Sequence, residues 1–224
     1  MNLEQARTNM VEQQIRTWEV LDQEVLDLLY VVPREAFVPA AYRNLAFSDM
    51  EVPLEADAAG ERMWPPKMEA RVLQELAPRR TERVLEVGTG SGYFTALLAH
   101  RAARVTSLEI KPSLAAFGRA NLERHGADNV TLLVEDGATG TSPGIRSQPA
   151  WDVIVLTGSV RVLPKTLLDS LAPGGRLFAV VGDAPVMSAR LVTCIAPGTH
   201  RSVDLFETVI APLANCEQPA RFRF

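Results

Sequence analysis

The chain is 224 residues long, with 47% hydrophobic and 22% charged residues, which suffices for one sizeable core and is ordinary for a globular protein. Its formal net charge of −4 excludes a polyanion-binding surface built on overall charge. Met1 to Thr17 has no apolar signal-peptide core, and no apolar run approaches the ~18 residues of a membrane span, so a soluble cytoplasmic protein without a membrane partner is expected.

From the N-terminus, residues 3–18 carry a helical pattern, with Met10 or Val11, Ile15 and Trp18 along one face. Asp22 is an N-cap for a second helix through Val25-Leu26-Asp27-Leu28-Leu29, which must end before Pro33. Pro33 to Pro39 is a proline-bounded segment, and Ala40 to Phe47 has room for a further helical turn or two. These elements predict a helical cap. Residues 48–66 combine acidic residues, small residues and prolines, which predicts a long loop of the functional or mobile kind. Lys67 to Leu76 returns to helical spacing, with Met68, Val72, Leu73 and Leu76 on one face.

From Thr81 onward, strands and helices alternate. Val84-Leu85 opens the first strand and Tyr93–His100 is its helix. Arg104–Leu108 is the second strand, followed by a helix from Pro112, suited to the first helical position, to His125, with Gly126 as its C′ residue. Val130–Val134 and Val153–Leu156 are the third and fourth strands. Pro164–Leu171 is a helix closed by Pro173-Gly174-Gly175, and Arg176–Val181 is the fifth strand. Arg190–Ile195 and Phe206–Ile210 predict an antiparallel edge. The pattern implies an α/β fold with a doubly wound, mostly parallel sheet and ligands at the C-terminal strand ends. Residues 1–76 would form the cap and a substrate-side loop, and 77–224 the ligand-binding core, in one compact unit.

The chemistry concentrates where the first strand meets its helix, at Leu85-Glu86-Val87-Gly88-Thr89-Gly90-Ser91-Gly92-Tyr93. A glycine turn here lets backbone N–H groups approach a ligand without an intervening Cβ. Two ligand classes use such a turn: a dinucleotide such as NAD, and S-adenosylmethionine. The dinucleotide fingerprint G-x-G-x-x-G would put its third glycine at Tyr93, whereas the pattern here is G-x-G-x-G. Glu86 can accept from the ammonium of a methionine moiety but would repel a pyrophosphate. Both details favour S-adenosylmethionine. Glu109, at the end of the second strand, can take ribose hydroxyls of either cofactor. Asp136-Gly137, after the third strand, can accept from an adenine amino group and leave room for the ring. Helix capping is the competing explanation for these acids.

The basic clusters, Arg79-Arg80 and Arg101 with Arg104, are spaced by apolar residues like solvated helix ends, so no nucleic-acid partner is expected. Cys194 and Cys216 form no C-x-x-C pair, and His100, His125 and His200 are scattered, so no metal-ligand spacing exists.

The stretches Val32-Pro33-Arg34-Glu35-Ala36-Phe37-Val38-Pro39, Leu85 to Tyr93, Ala120-Asn121-Leu122-Glu123-Arg124, Glu135-Asp136-Gly137 and Leu171-Ala172-Pro173-Gly174-Gly175-Arg176-Leu177 together resemble protein-L-isoaspartate O-methyltransferase over roughly residues 8–182. The resemblance implies a Rossmann-like class I methyltransferase, a cytoplasmic repair enzyme that methylates the free carboxylate of L-isoaspartyl residues in damaged proteins. It implies that Glu86, Gly88, Gly90, Gly92, Glu109, Ile110, Asp136 and Gly137 hold S-adenosylmethionine, with Thr89 and Tyr93 from the same turn. One stretch departs from the family. Where the family has Gly-Gln-Thr-Ile-Ser, this chain has Gly60-Glu61-Arg62-Met63-Trp64, so Arg62 takes the Thr position and Trp64 the Ser position. Arg62, Met63 and Trp64 are therefore the substrate-loop candidates. The loss of both hydroxyls predicts retained cofactor binding with weak isoaspartyl methylation, and Arg62 as a group able to pair with a carboxylate. The alternatives are a methyltransferase with another substrate, such as a small acid or an apolar molecule held by Trp64, and a non-catalytic cofactor-binding module that serves a partner protein.

Overall fold

The computed structural model describes residues 2–55, 61–146 and 148–216. Seven strands form one sheet: β3 (Arg83–Val87), β4 (Arg104–Glu109), β5 (Val130–Val134), β6 (Trp151–Leu156), β7 (Leu171–Asp183), β8 (Val186–Ala196) and β9 (Thr199–Glu207). Their order is β5-β4-β3-β6-β7-β8-β9, parallel from β5 to β7 and antiparallel at β8 and β9. The chain reverses direction across the sheet between β3 and β6, and that crevice is where such sheets bind ligands. Side-chain parity along β3 divides the core. Val84 joins the cluster under α3 (Pro66–Leu76), α4 (Tyr93–Arg101) and α5 (Pro112–His125), whereas Leu85 and Val87 join the cluster under α6 (Pro143–Arg146) and α7 (Lys165–Asp169). Among the described residues, no helix is long and apolar enough to cross a membrane.

Residues 3–18 are helical throughout but change pitch, from α1 (Leu3–Asn9) through a π turn (Met10–Ile15) to a 3₁₀ turn (Arg16–Trp18). The wider turn carries Met10, Val11 and Ile15, all buried. Asp22 caps α2 (Gln23–Val31) by accepting from Glu24 N at 2.9 Å and Val25 N at 3.3 Å. Helix α5 runs between the predicted limits, with Pro112 at its start and Gly126 beyond its end at φ 76°.

Three expectations are corrected. The segment 48–66 is not irregular throughout: β1 (Val52–Pro53) pairs antiparallel with β2 (Arg62–Met63). Residues 56–60, including Gly60 of the departing stretch, lie outside the described residues. Pro173-Gly174-Gly175 does not close a helix but lies inside β7, opposite a register shift between Trp151 and Val153 of β6. The last strand ends at Glu207, and after a final bond from Thr208 N to Met187 O at 3.3 Å the chain leaves the sheet at Val209 and Ile210.

Arg34 joins the cap to the core. It is 1% exposed and uses its donors on three elements. Its Nε donates to Ala46 O at 2.8 Å, its Nη2 donates to Trp64 O at 2.6 Å, and its Nη1 contacts the Glu69 carboxylate on α3. The guanidinium also lies over the Tyr93 ring, 5.2 Å from the centroid. Burial pushes the Glu69 carboxyl up and the guanidinium opposes it. The pair is ionised, because a neutral Glu69 would strand a buried cation. Arg34→Ala is expected to lower unfolding stability by roughly 3–5 kcal/mol, the cost of breaking a buried pair from one side. Arg34→Lys should recover only part of it, since one ammonium cannot span all these acceptors. Urea unfolding of the purified variants checks both.

Candidate active site

A cavity of about 380 Å³ opens at the C-terminal ends of β3, β4 and β6. Its floor is the glycine turn. Gly88 has φ 99° and Gly90 φ 52°, backbone conformations that a side chain disfavours. A Cβ on Gly88 would collide with the Thr157 hydroxyl, which donates to Gly88 O at 2.7 Å and to Val87 O at 3.0 Å. A Cβ on Gly90 would stand 3.0 Å from Leu54, which roofs the turn from the β1–β2 hairpin. Glu109 forms one wall. Its Oε2 accepts from Gly90 N at 2.9 Å and its Oε1 from Lys111 N at 3.1 Å. A carboxylate has about four acceptor positions, so about two remain. Ile110, 37% exposed, provides an apolar surface beside it.

Of the residues expected to touch the cofactor, Gly88, Thr89, Gly90, Glu109 and Ile110 line this cavity. Glu86, Gly92, Tyr93, Asp136 and Gly137 do not, and each has another physical task. Glu86 shares the face of β3 that carries Val84, so it points beneath the turn and is wholly buried. Its Oε2 accepts from Thr95 Oγ1 at 2.5 Å and Ser107 Oγ at 2.6 Å, and Ser107 in turn meets Thr89 Oγ1 at 2.6 Å. Burial pushes the Glu86 carboxyl up to about 8, against the two hydroxyl donors and with the Glu109 charge adding. Gly92 takes φ 80° before α4 and packs against Gly118 and Leu122 of α5. Tyr93 faces the cap, edge-on to Phe37 with centroids 5.5 Å apart. Asp136 accepts from Ala138 N at 3.0 Å and Asn215 Nδ2 at 2.8 Å, and Gly137 packs on Val87.

The substrate-loop candidates Arg62, Met63 and Trp64 also line the cavity, at the hairpin side. Trp64 is only 5% exposed. Its ring packs on Phe94, with centroids 5.5 Å apart, and on Phe178, 6.2 Å away. The large ring therefore lies in the core rather than across the substrate space.

Several wall residues have no counterpart among the sequence candidates. Thr157 and Gly158 follow β6, and their place at a parallel strand's C-terminal end is the signal that marks them. Ile210 to Ala214 close the far side. Ser159 holds this segment, with Ser159 N donating to Ala211 O and Leu213 N to Ser159 O, both at 2.9 Å. No local sequence pattern announces that return. Lys111 stands at the mouth, in direct ion-pair contact with Glu61.

The residues present fit the cofactor inferred from the glycine pattern: a turn whose Gly88 and Gly90 positions have no room for a Cβ, and a carboxylate with spare acceptors beside it. Fold and cavity define a class I methyltransferase. The family model for protein-L-isoaspartate(D-aspartate) O-methyltransferase (PCMT) matches residues 5–214. A protein-L-isoaspartate O-methyltransferase of Methanoculleus marisnigri is 39% identical over 176 residues, 79% of this chain and 77% of that protein. One of Koribacter versatilis is 34% identical over 217 residues, 96% and 94% of the two chains. The chain belongs to the protein-L-isoaspartate O-methyltransferase family and is an S-adenosylmethionine-dependent enzyme. The same fold occurs in a Plasmodium falciparum protein-L-isoaspartate O-methyltransferase crystallised with S-adenosyl-L-homocysteine, at TM-score 0.78 and 20% identity over 92% of this chain and 96% of that one.

The Glu86 carboxyl makes a pH prediction. Its native-state value, about 8, lies above the unfolded 4.5, so the native state binds more protons between those limits and stability falls as pH rises through them. Glu86→Gln keeps an acceptor for Thr95 and Ser107 and removes the titration. Thermal melts of the protein without cofactor should coincide near pH 5 and diverge in favour of the variant towards pH 8. A gap independent of pH would contradict the assignment.

Proposed function

We propose that this enzyme methylates the free carboxylate of L-isoaspartyl residues in proteins and peptides, acts in the cytoplasm, and uses Arg62 to hold that carboxylate. Bound S-adenosylmethionine supplies an activated methyl group on a sulfonium. Gly88, Thr89, Gly90, Glu109 and Ile110 would hold it, with the glycine turn admitting it closely and Glu109 accepting from its ribose hydroxyls. In this reading residues 1–76 bring the substrate side and 77–224 the cofactor side.

The observation that carries the proposal is the position of Arg62. It stands in the wall of the cavity that also contains the glycine turn and Glu109. A carboxylate is already a nucleophile at neutral pH, so the residues around it need to position it rather than remove a proton. A displacement of ~1 Å from the reacting geometry can cost about 100-fold. A guanidinium can fix a carboxylate through two parallel N–H donors, which replaces the donors lost with the family's hydroxyls. The burial of the Trp64 ring removes the steric ground for expecting weak turnover. It also removes the exposed aromatic surface that would favour an apolar small molecule.

Two outcomes test this reading. Labelled methyl should pass from S-adenosylmethionine to an isoaspartyl peptide and not to the matching aspartyl peptide, and Arg62→Gln should raise KM for the peptide several-fold with the cofactor Kd unchanged. Absence of transfer, or an unchanged KM, would refute it. Separately, Glu109→Ala should weaken S-adenosyl-L-homocysteine binding by roughly 1.5–3 kcal/mol, as expected for lost hydrogen bonds to a charged group, with calorimetry as the measurement. The variant should also lose some stability, because Glu109 holds two backbone N–H groups of the cavity wall.

A further inference from the structure

We infer that Glu51 sets the affinity for the substrate: its carboxylate occupies the Arg62 guanidinium in the empty site and is displaced by the substrate carboxylate. The inference rests on Arg62 being the carboxylate anchor. Its basis is the distribution of charge around the cavity. Among the described lining residues the cations are Arg62 and Lys111, and the acids are Glu51, Glu61, Glu69 and Glu109. Three of these acids are already committed. Glu69 is in contact with Arg34, Glu61 with Lys111, and Glu109 with the N–H groups of Gly90 and Lys111. Glu51 and Arg62 remain, and they meet loosely. The closest approach is Arg62 Nε to Glu51 Oε2 at 3.8 Å, with the Arg62 side chain 41% exposed.

The hairpin register explains the pairing. Val52 pairs with Met63 and Pro53 with Arg62, so Glu51 lies diagonally across from Arg62 on the same face. Val52 and Met63 are buried, which anchors the ladder and leaves Glu51 and Arg62 on the wall. A loose, partly exposed pair of this kind contributes little binding energy, so a better carboxylate can displace it. An incoming isoaspartyl carboxylate can approach the guanidinium fork in bidentate geometry, which Glu51 at 3.8 Å does not. Burial also pushes the Glu51 carboxyl up, against the pull of Arg62, consistent with a carboxylate that is poorly compensated where it stands. A substrate without a carboxylate gains nothing from the guanidinium and must leave the internal pair in place. Glu51 thereby lowers the affinity for a free carboxylate and leaves that for an amide or a neutral side chain unchanged, so it limits how tightly the carboxylate is held.

The experiment measures binding of an isoaspartyl hexapeptide to the protein saturated with S-adenosyl-L-homocysteine, by calorimetry, for the unmodified protein, Glu51→Gln, Arg62→Gln and the double variant. The unmodified protein should bind the peptide, and Glu51→Gln should bind it about two- to fivefold more tightly, the range expected of a partly exposed pair, with the cofactor Kd and melting temperature unchanged. It should also bind the peptide's asparaginyl analogue no more tightly than before. Arg62→Gln should weaken the peptide, and in its background Glu51→Gln should have no effect. Equal or weaker peptide binding by Glu51→Gln, with the Arg62→Gln loss intact, overturns this inference and leaves the role of Arg62 standing. No loss in Arg62→Gln, or no peptide binding by any form, overturns both. A gain that persists in the double variant shows simple repulsion by Glu51 and overturns competition for Arg62.

Discussion

A guanidinium that is 1% exposed must have its charge and donors satisfied by the protein, and Arg34 imposes that requirement on everything around it. Its partners come from Ala46, Trp64 and Glu69, and the Tyr93 ring lies beneath it. Such a pair adds little net stability compared with a well-packed apolar replacement. It does fix relative positions. The bond to Trp64 O holds the backbone immediately after β2, so the direction in which Arg62 enters the cavity depends on Arg34. Helix α3 is held through Glu69, and the first residue of α4 through Tyr93. The proline-bounded segment thus acts on the site without entering it.

A second constraint acts under the glycine turn. Parity along β3 sends Glu86 towards the α4 face, where Thr95 and Ser107 satisfy one carboxylate oxygen. Ser107 bridges onward to Thr89, which belongs to the turn itself. This polar chain couples the turn to α4 and β4 in a region otherwise made of Val84, Leu97 and Leu98, all fully buried. In low dielectric such bonds are strong when complete and costly when incomplete. Glu86 Oε1 is the incomplete member, which gives the turn a reason to respond to a cation placed nearby.

The parts legible in the sequence are those where local physics and global fold agree. Pro112 and Gly126 mark the ends of α5 because one has no N–H to lose and the other adopts φ 76°. The parallel order followed from alternation alone. The misread parts are those where tertiary context overrides local preference. Pro173 and Gly174 are tolerated inside β7 because the ladder to β6 shifts register there. The two-residue strands β1 and β2 are too short to show a period. Ile210 to Ala214 form a cavity wall through pairing with Ser159, about fifty positions earlier, and no window of sequence contains that contact. The glycine motif located the site but did not say which residues face it. Glu86 and Tyr93 belong to the motif by spacing, yet strand parity and helix phase turn them towards the core and the cap.

The cavity wall has an electrical direction that follows from these placements. Glu109 stands beside the glycine turn with acceptors to spare. That end attracts positive charge. Arg62 stands at the hairpin side and attracts negative charge. Leu54, Phe94, Ile210 and Leu213 contribute apolar surface to the lining, which raises the strength of both attractions by excluding water. A ligand pair with a cationic and an anionic member is therefore held with each member at its own end. A pair that has lost both charges loses this electrostatic attraction and keeps only its hydrogen bonds and apolar contacts. In the proposed reading the wall residues thus favour charged reactants over neutral products, with Glu51 giving way at the Arg62 guanidinium as the only rearrangement needed.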